Sequence, residues 1–274
     1  MKTAKKQTTK RQHFIARFYL RNFADPMFSE NLQVYDIKKK RWERRTPDGV
    51  GWFKHLCSTV ESDGSRNDNF DKFLEENVEQ PAVGPMKRLA MADSVVPADR
   101  PAIAKFIALT AARNPDMING ILGEQLLKAS PEKTAEDDDV LAQWCQWTNR
   151  RVGPDSRREF FKPGVLGAMW LWSQRLQQRL LGWEWHQFKT TRNQPFITSD
   201  ATVFAEWDRT QDLRLVTFPI SAERALVIIA GGKLNPDRDI SIQAQVLNRQ
   251  AFAKATRFVA SPTIEFPGDA YLPT

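Results

Sequence analysis

Arg113 is the residue whose position is hardest to explain without a partner. It lies three residues after Thr110 and seven after Phe106, so on an uninterrupted helix it continues the side that faces the core. A guanidinium keeps its charge at any accessible pH. Turned inward it demands a carboxylate or a bound anion, because an isolated buried charge costs several kcal/mol or more. Alternatively it snorkels from the helix end to solvent. Two acids and a histidine are candidate company. Glu79 follows Val78 near the end of a helix whose other face carries Glu75 and Glu76, and by itself it reads as a surface acid. Asp200 ends the apolar run Phe196-Ile197-Thr198-Ser199, where it fits a catalytic carboxylate at a sheet mouth, a turn or a helix cap. His13 precedes an aromatic-rich stretch and serves there as a cap, a packing residue or a base.

The common catalytic signatures are missing. No phosphate loop, His-Glu-x-x-His helix, Gly-x-Ser-x-Gly elbow or paired Cys-x-x-Cys occurs. Ala230-Gly231-Gly232-Lys233 has the wrong spacing for a phosphate loop and reads as a hairpin turn. His55 and Cys57, with Cys145 or His186, make a nonspecific zinc set that the spacing does not favour. The acidic run Glu136-Asp137-Asp138-Asp139 suits a first helical turn and needs no metal to explain it.

Positioning such residues requires a core, and the composition supplies one. Hydrophobic residues make up 41% and charged residues 27%, with nine Trp and seventeen Phe, so the chain can fold without disulfides. Two cysteines exclude a secreted disulfide framework, no apolar stretch approaches a bilayer span, and no signal peptide is expected. A cytoplasmic protein with no membrane partner is expected. The net charge of +7 is compatible with nucleic acid or another polyanion. Lys2, Lys5, Lys6, Lys10 and Arg11 form one basic cluster, and Lys38 to Lys40 with Arg41, Arg44 and Arg45 a second. Each is a phosphate-facing patch or a solvated segment. Oligomeric state is not legible.

The expected fold is α+β. Residues 1–12 read as a flexible basic tail, and 13–274 as a single domain with a largely helical body over about 67–181 and a sheet-rich part over about 183–265. Phe14, Ile15, Phe18, Tyr19 and Phe23 follow helical spacing. Leu32, Val34 and Tyr35, then Trp42, flank a Lys-rich tip and predict an N-terminal β-hairpin, with Trp42 a weak candidate for stacking nucleic-acid bases. Helices are expected around 70–78, from Pro97–Pro101 to Asn114–Pro115, from Met117, after the acidic run, at 164–181 and at 241–258. A small antiparallel sheet is expected in the C-terminal third, from strands at 183–188, 195–204, 213–219 and 225–230.

The segment Arg11-Gln12-His13-Phe14-Ile15-Ala16-Arg17-Phe18-Tyr19-Leu20-Arg21-Asn22-Phe23 resembles the opening motif of a bacterial family catalogued as domain-of-unknown-function family 4238, with Ala16 where that motif usually has Pro. Val78-Glu79, Ala112-Arg113-Asn114-Pro115, Phe196-Ile197-Thr198-Ser199-Asp200 and Phe218-Pro219-Ile220-Ser221 are similar to its later landmarks, in the same order, with Thr202 replacing a Pro. The resemblance spans about residues 11–260 and implies no substrate or cofactor. It does place His13, Glu79, Arg113 and Asp200 at motif positions. One expectation is therefore a hydrolase acting on a phosphate-containing or nucleic-acid substrate. In it His13 is the acid or base, Glu79 and Asp200 orient it or hold a divalent metal, Arg113 stabilises negative charge, and Arg11, Arg17 and Ser199 bind substrate. The other is a non-enzymatic binding or interaction protein in which the same four residues form a structural polar network.

Overall fold

A computed structural model describes residues 11–24, 31–61, 63–91, 94–114, 118, 157–190, 194–207, 212–231 and 240–263. The cluster from Lys2 to Lys10, the helices expected from Met117 and after the acidic run, and Cys145 lie outside them.

Arg11–His13 (β1) is extended and later pairs with Trp52–Lys54 (β4). The amides of Phe14 and Ile15 both donate to the Gly51 carbonyl, so the helix expected from Phe14 starts late. It is a single turn, Arg17–Leu20 (α1), followed by a 3-10 turn over Arg21–Phe23. Gly51 has φ +67°, and a Cβ there would lie 3.2 Å from that of Ile15, so glycine serves both the turn and the close approach. Arg11 and Gln12, expected in the tail, belong to β1.

The expected hairpin forms from Leu32–Asp36 (β2) and Arg41–Arg45 (β3). It does not stand alone. Thr198–Ser199 (β8) and Phe258–Ser261 (β12) extend it into an antiparallel sheet of order β3-β2-β12-β8. A second antiparallel sheet has the order β7-β11-β10-β9, from Glu184–Lys189 (β7), Phe204–Trp207 (β9), Leu213–Ser221 (β10) and Arg224–Ile229 (β11). Thr59–Val60 (β5) and Arg66–Asn67 (β6) make a short ladder. Sheet is thus not confined to the C-terminal third, because the last strand returns to pair with the first hairpin. Fewer than half of the described residues are helical, so the fold is a mixed α+β one rather than a largely helical body.

The helices are Asn69–Leu74 (α2), Gln80–Met91 (α3), Arg100–Ala112 (α4), Arg157–Leu181 (α5) and Ile240–Lys254 (α6). Among the described residues none is long and apolar enough to cross a membrane. In α4 the side chains of Ile103, Phe106, Ile107, Leu109 and Thr110 are all buried, so this helix runs through the core rather than along its surface. Tyr19 joins the layers. Fully buried, its hydroxyl donates to the Pro219 carbonyl of β10 and shares a hydrogen bond with Thr198 of β8, each at 2.9 Å.

Part of the basic hairpin's charge is paired internally. Glu43 accepts hydrogen bonds from Arg45, Lys39 and Arg41, which together hold its carboxyl down at about 2. Trp42 packs on its cross-strand partner Tyr35 at 5.4 Å between ring centroids. The ring is half-buried against its cross-strand neighbour.

Candidate functional site

The core position of α4 settles where Arg113 goes. At the helix C-cap its amide donates to the Leu109 carbonyl at 2.8 Å, and its side chain is 2% exposed. The negative end of the helix dipole favours a cation there. The guanidinium is not left alone. Its Nη2 forms a charge-assisted hydrogen bond with Glu79 Oε1, the ion pair that an inward arginine requires. Burial pulls the guanidinium's pKa down, but the carboxylates of Glu79 and Asp71 and the Cys57 thiol together raise it above the usual arginine value.

Glu79 reaches Arg113 through a local irregularity. Between α2 and α3 the chain makes a π turn over Glu75–Glu79, with the Gln80 amide donating to the Glu75 carbonyl. Pro81 has no amide proton to give the Asn77 carbonyl, and its ring would crowd that carbonyl in a regular α-helix. The wider turn relieves this and changes the direction in which Glu79 projects. Such π turns recur at functional sites.

His13, Glu79 and Arg113 line one polar pocket of about 160 Å³. Arg11, Arg17 and Lys72, all exposed, line it as well. The His13 imidazole donates a hydrogen bond to the Asp48 backbone carbonyl, while its buried Nε2 has no hydrogen-bond partner among the described residues. That leaves Nδ1 as the nitrogen facing Asp48, and fixes the neutral tautomer whose lone pair is on Nε2. Burial, then the nearby Arg17 and Arg113 charges, lower the His13 pKa, so the ring is neutral at physiological pH. Arg113 Nε is likewise buried without a partner among the described residues. Two buried nitrogens without partners, on residues that line one pocket, mark it as a place where polar groups remain to be satisfied.

The pocket's other wall is acidic. Asp68, Asp71, Glu75 and Glu79 all line it. Asp68 is committed elsewhere, accepting from Ser58 Oγ at 2.6 Å and from Gln12 Nε2 at 3.4 Å, while Gln12 Oε1 takes the Cys57 amide at 2.7 Å. This closed set holds β1 in place beneath His13. Asp71 differs. Desolvation raises its pKa to about 6; Arg113 opposes the shift, while Glu79, Asp68 and Glu75 reinforce it. Asp71 was not singled out from the sequence, although its signal was present: acids at 68, 71, 75 and 79 fall at helical spacing on one face.

Asp200 is not brought to this pocket. Its buried carboxylate accepts from the Thr256 amide at 3.1 and 3.2 Å, from Thr256 Oγ1 at 2.7 Å and from the Phe258 amide at 3.4 Å. Those bonds clamp the turn from α6 into β12. Desolvation outweighs them and leaves its pKa raised. Its backbone carbonyl accepts from Asn114 Nδ2 at 3.2 Å, which is its link to the Arg113 end of α4. Ser199 is fully buried, and its hydroxyl closes a turn with Ala201, so it too is structural in its surroundings. Replacing Asp200 by alanine removes the acceptor that the Thr256 amide and hydroxyl share and is expected to cost about 1–3 kcal/mol in urea unfolding, with no change in ligand binding at the His13 pocket.

Among the described residues no group of three or more His, Cys, Asp or Glu side chains is arranged to hold a metal ion. No curated protein matches the chain, and neither does any solved structure. The family described as "Protein of unknown function (DUF4238)" matches residues 11–263. With the opening motif forming β1 and α1 and the remaining landmarks placed as above, this chain belongs to that family.

Proposed function

We propose that the His13 pocket is the active site of a hydrolase acting on a phosphate ester. The observation that carries this reading is the meeting, in one polar pocket, of an imidazole with an unengaged Nε2, a carboxyl titrating at about 6 and a buried guanidinium with an unused Nε–H. A neutral imidazole is the base form, and an acid titrating that high remains partly protonated near neutrality. Environments that push two titratable groups toward opposite roles mark an acid–base pair.

In the reaction, His13 Nε2 takes a proton from the attacking water as its oxygen bonds to phosphorus. Asp71 gives its proton to the leaving oxygen as that P–O bond breaks. Arg113, oriented by Glu79, donates Nε–H to a non-bridging oxygen on which charge accumulates. Arg11, Arg17 and Lys72 around the opening draw in an anionic substrate. Asp200, with its carboxylate satisfied by its own neighbours, fits a structural role instead.

The test is incubation of the purified protein with labelled RNA, labelled DNA and small nitrophenyl phosphate mono- and diesters, with and without Mg²⁺ or Mn²⁺. Turnover that falls about 10²–10⁴-fold in His13→Ala is expected, the usual worth of a positioned base. No turnover of any of these, or turnover indifferent to His13, overturns the reading.

A further inference from the structure

We infer that the β1–β4 ribbon beside the pocket is a docking strip for single-stranded nucleic acid, with a base stacked on the Arg11 guanidinium where it lies over Trp52 and adjacent phosphates held by Arg11 and Lys54. This rests on the hydrolytic reading only in naming the substrate of that site.

The register pairs Arg11 with Lys54 and His13 with Trp52. Directly paired residues share a face of a ladder, and so do residues two apart. Arg11, His13, Trp52 and Lys54 therefore stand on one face. Gln12, on the other, is 1% exposed and tied into the core. Two cations directly opposite each other destabilise a ladder unless an anion lies between them. Arg11 and Lys54 are both exposed, and neither forms an ion pair among the described residues. A phosphate group is the complement such a pair needs.

The aromatic component selects nucleic acid from among phosphate-bearing molecules. The Arg11 guanidinium lies 4.6 Å from the centroid of Trp52. The indole is itself fixed by a hydrogen bond from Nε1 to the Gly49 carbonyl at 3.3 Å. A guanidinium lying over an exposed-edge indole adds a planar cation to the aromatic surface, and unpaired bases stack on such groups. A base within a duplex is already stacked on its neighbours. Arg17, on the same approach, is paired with Asp48 at 3.0 Å and so adds less charge than Arg11 or Lys54. The strip ends at the chemistry, because Arg11, His13 and Arg17 all line the pocket.

The experiment is fluorescence anisotropy of a labelled single-stranded RNA or DNA dodecamer, in EDTA, with the same sequence as a duplex for comparison. Wild-type protein is expected to bind the single strand at least tenfold more tightly than the duplex. Arg11→Ala and Lys54→Glu, both at exposed positions, are expected to weaken binding about tenfold or more and to flatten its salt dependence. Lys38→Glu, on the hairpin tip, is the control and leaves binding unchanged. Equal affinity for single strand and duplex, or binding untouched by Lys54→Glu and Arg11→Ala, overturns the proposal. The two readings fail separately. His13-dependent hydrolysis of small esters without strand binding removes the strip alone, and strand binding without any turnover removes the hydrolytic site alone.

Discussion

Arg113→Met is expected to lower the unfolding free energy by about 3–5 kcal/mol, the cost of breaking a buried ion pair from one side. The guanidinium is 2% exposed and Glu79 19%, so the stranded carboxylate keeps some access to water and the lower end of that range applies. Equilibrium urea unfolding measures it. The companion double variant Arg113→Met with Glu79→Leu removes both charges and is expected to recover most of the loss, because an apolar pair of similar volume pays no desolvation. A single variant as stable as wild type would mean that the guanidinium is not held inside the protein at all.

Asp71→Asn is expected to act in the opposite direction on stability while slowing turnover. An acid whose folded-state pKa lies above its unfolded value binds its proton more tightly when folded. Its contribution therefore favours the native state below the unfolded value of 3.8, and is lost as pH rises through about 6. At pH 7.5 the ionised Asp71 thus strains the fold, by about 2–3 kcal/mol at 1.36 kcal/mol per pKa unit. Asparagine carries no charge at any pH. The variant should be more stable than wild type at pH 7.5 by about that amount, should lose the excess toward pH 4, and should hydrolyse about 10²–10⁴-fold more slowly. Greater stability with less activity is the signature of a site kept strained for its chemistry. Equal stability of the two proteins across pH 4–8 would remove Asp71 from the acid–base pair.

The parts of the site legible in the sequence are those governed by local periodicity. Arg113 could be placed inward because three and seven residues separate it from Thr110 and Phe106 on one helix, and α4 is regular from end to end. Glu79 read as a surface acid because its projection depends on a π turn imposed by Pro81, which a fixed helical period does not represent. Asp71 is not legible in the sequence for a related reason. An acid on a helix is ordinarily solvated, and the tertiary packing that desolvates this one, around a pocket shared with Arg11 to His13, has no local signature.

Long-range pairing accounts for what was misread in the fold. The strands were found nearly where expected. That β12 would pair with β2, some 225 positions earlier, is a matter of which edges are left open after the hairpin closes, and no local pattern encodes it. The same return brings Thr256 and Phe258 onto Asp200, so the carboxylate of a residue at a motif position is bonded to the turn before β12 and does not line the pocket. Family membership selected four polar positions without distinguishing these two uses.

The pH dependence of kcat/KM for hydrolysis of the best phosphate ester tests the acid–base assignment most directly. The reaction needs neutral His13 and protonated Asp71 together, so the account predicts a bell with its basic limb falling above about pH 6, and loss of that limb in Asp71→Asn. A rate that climbs steadily from pH 5 to 8, or a profile identical in the variant, would contradict it.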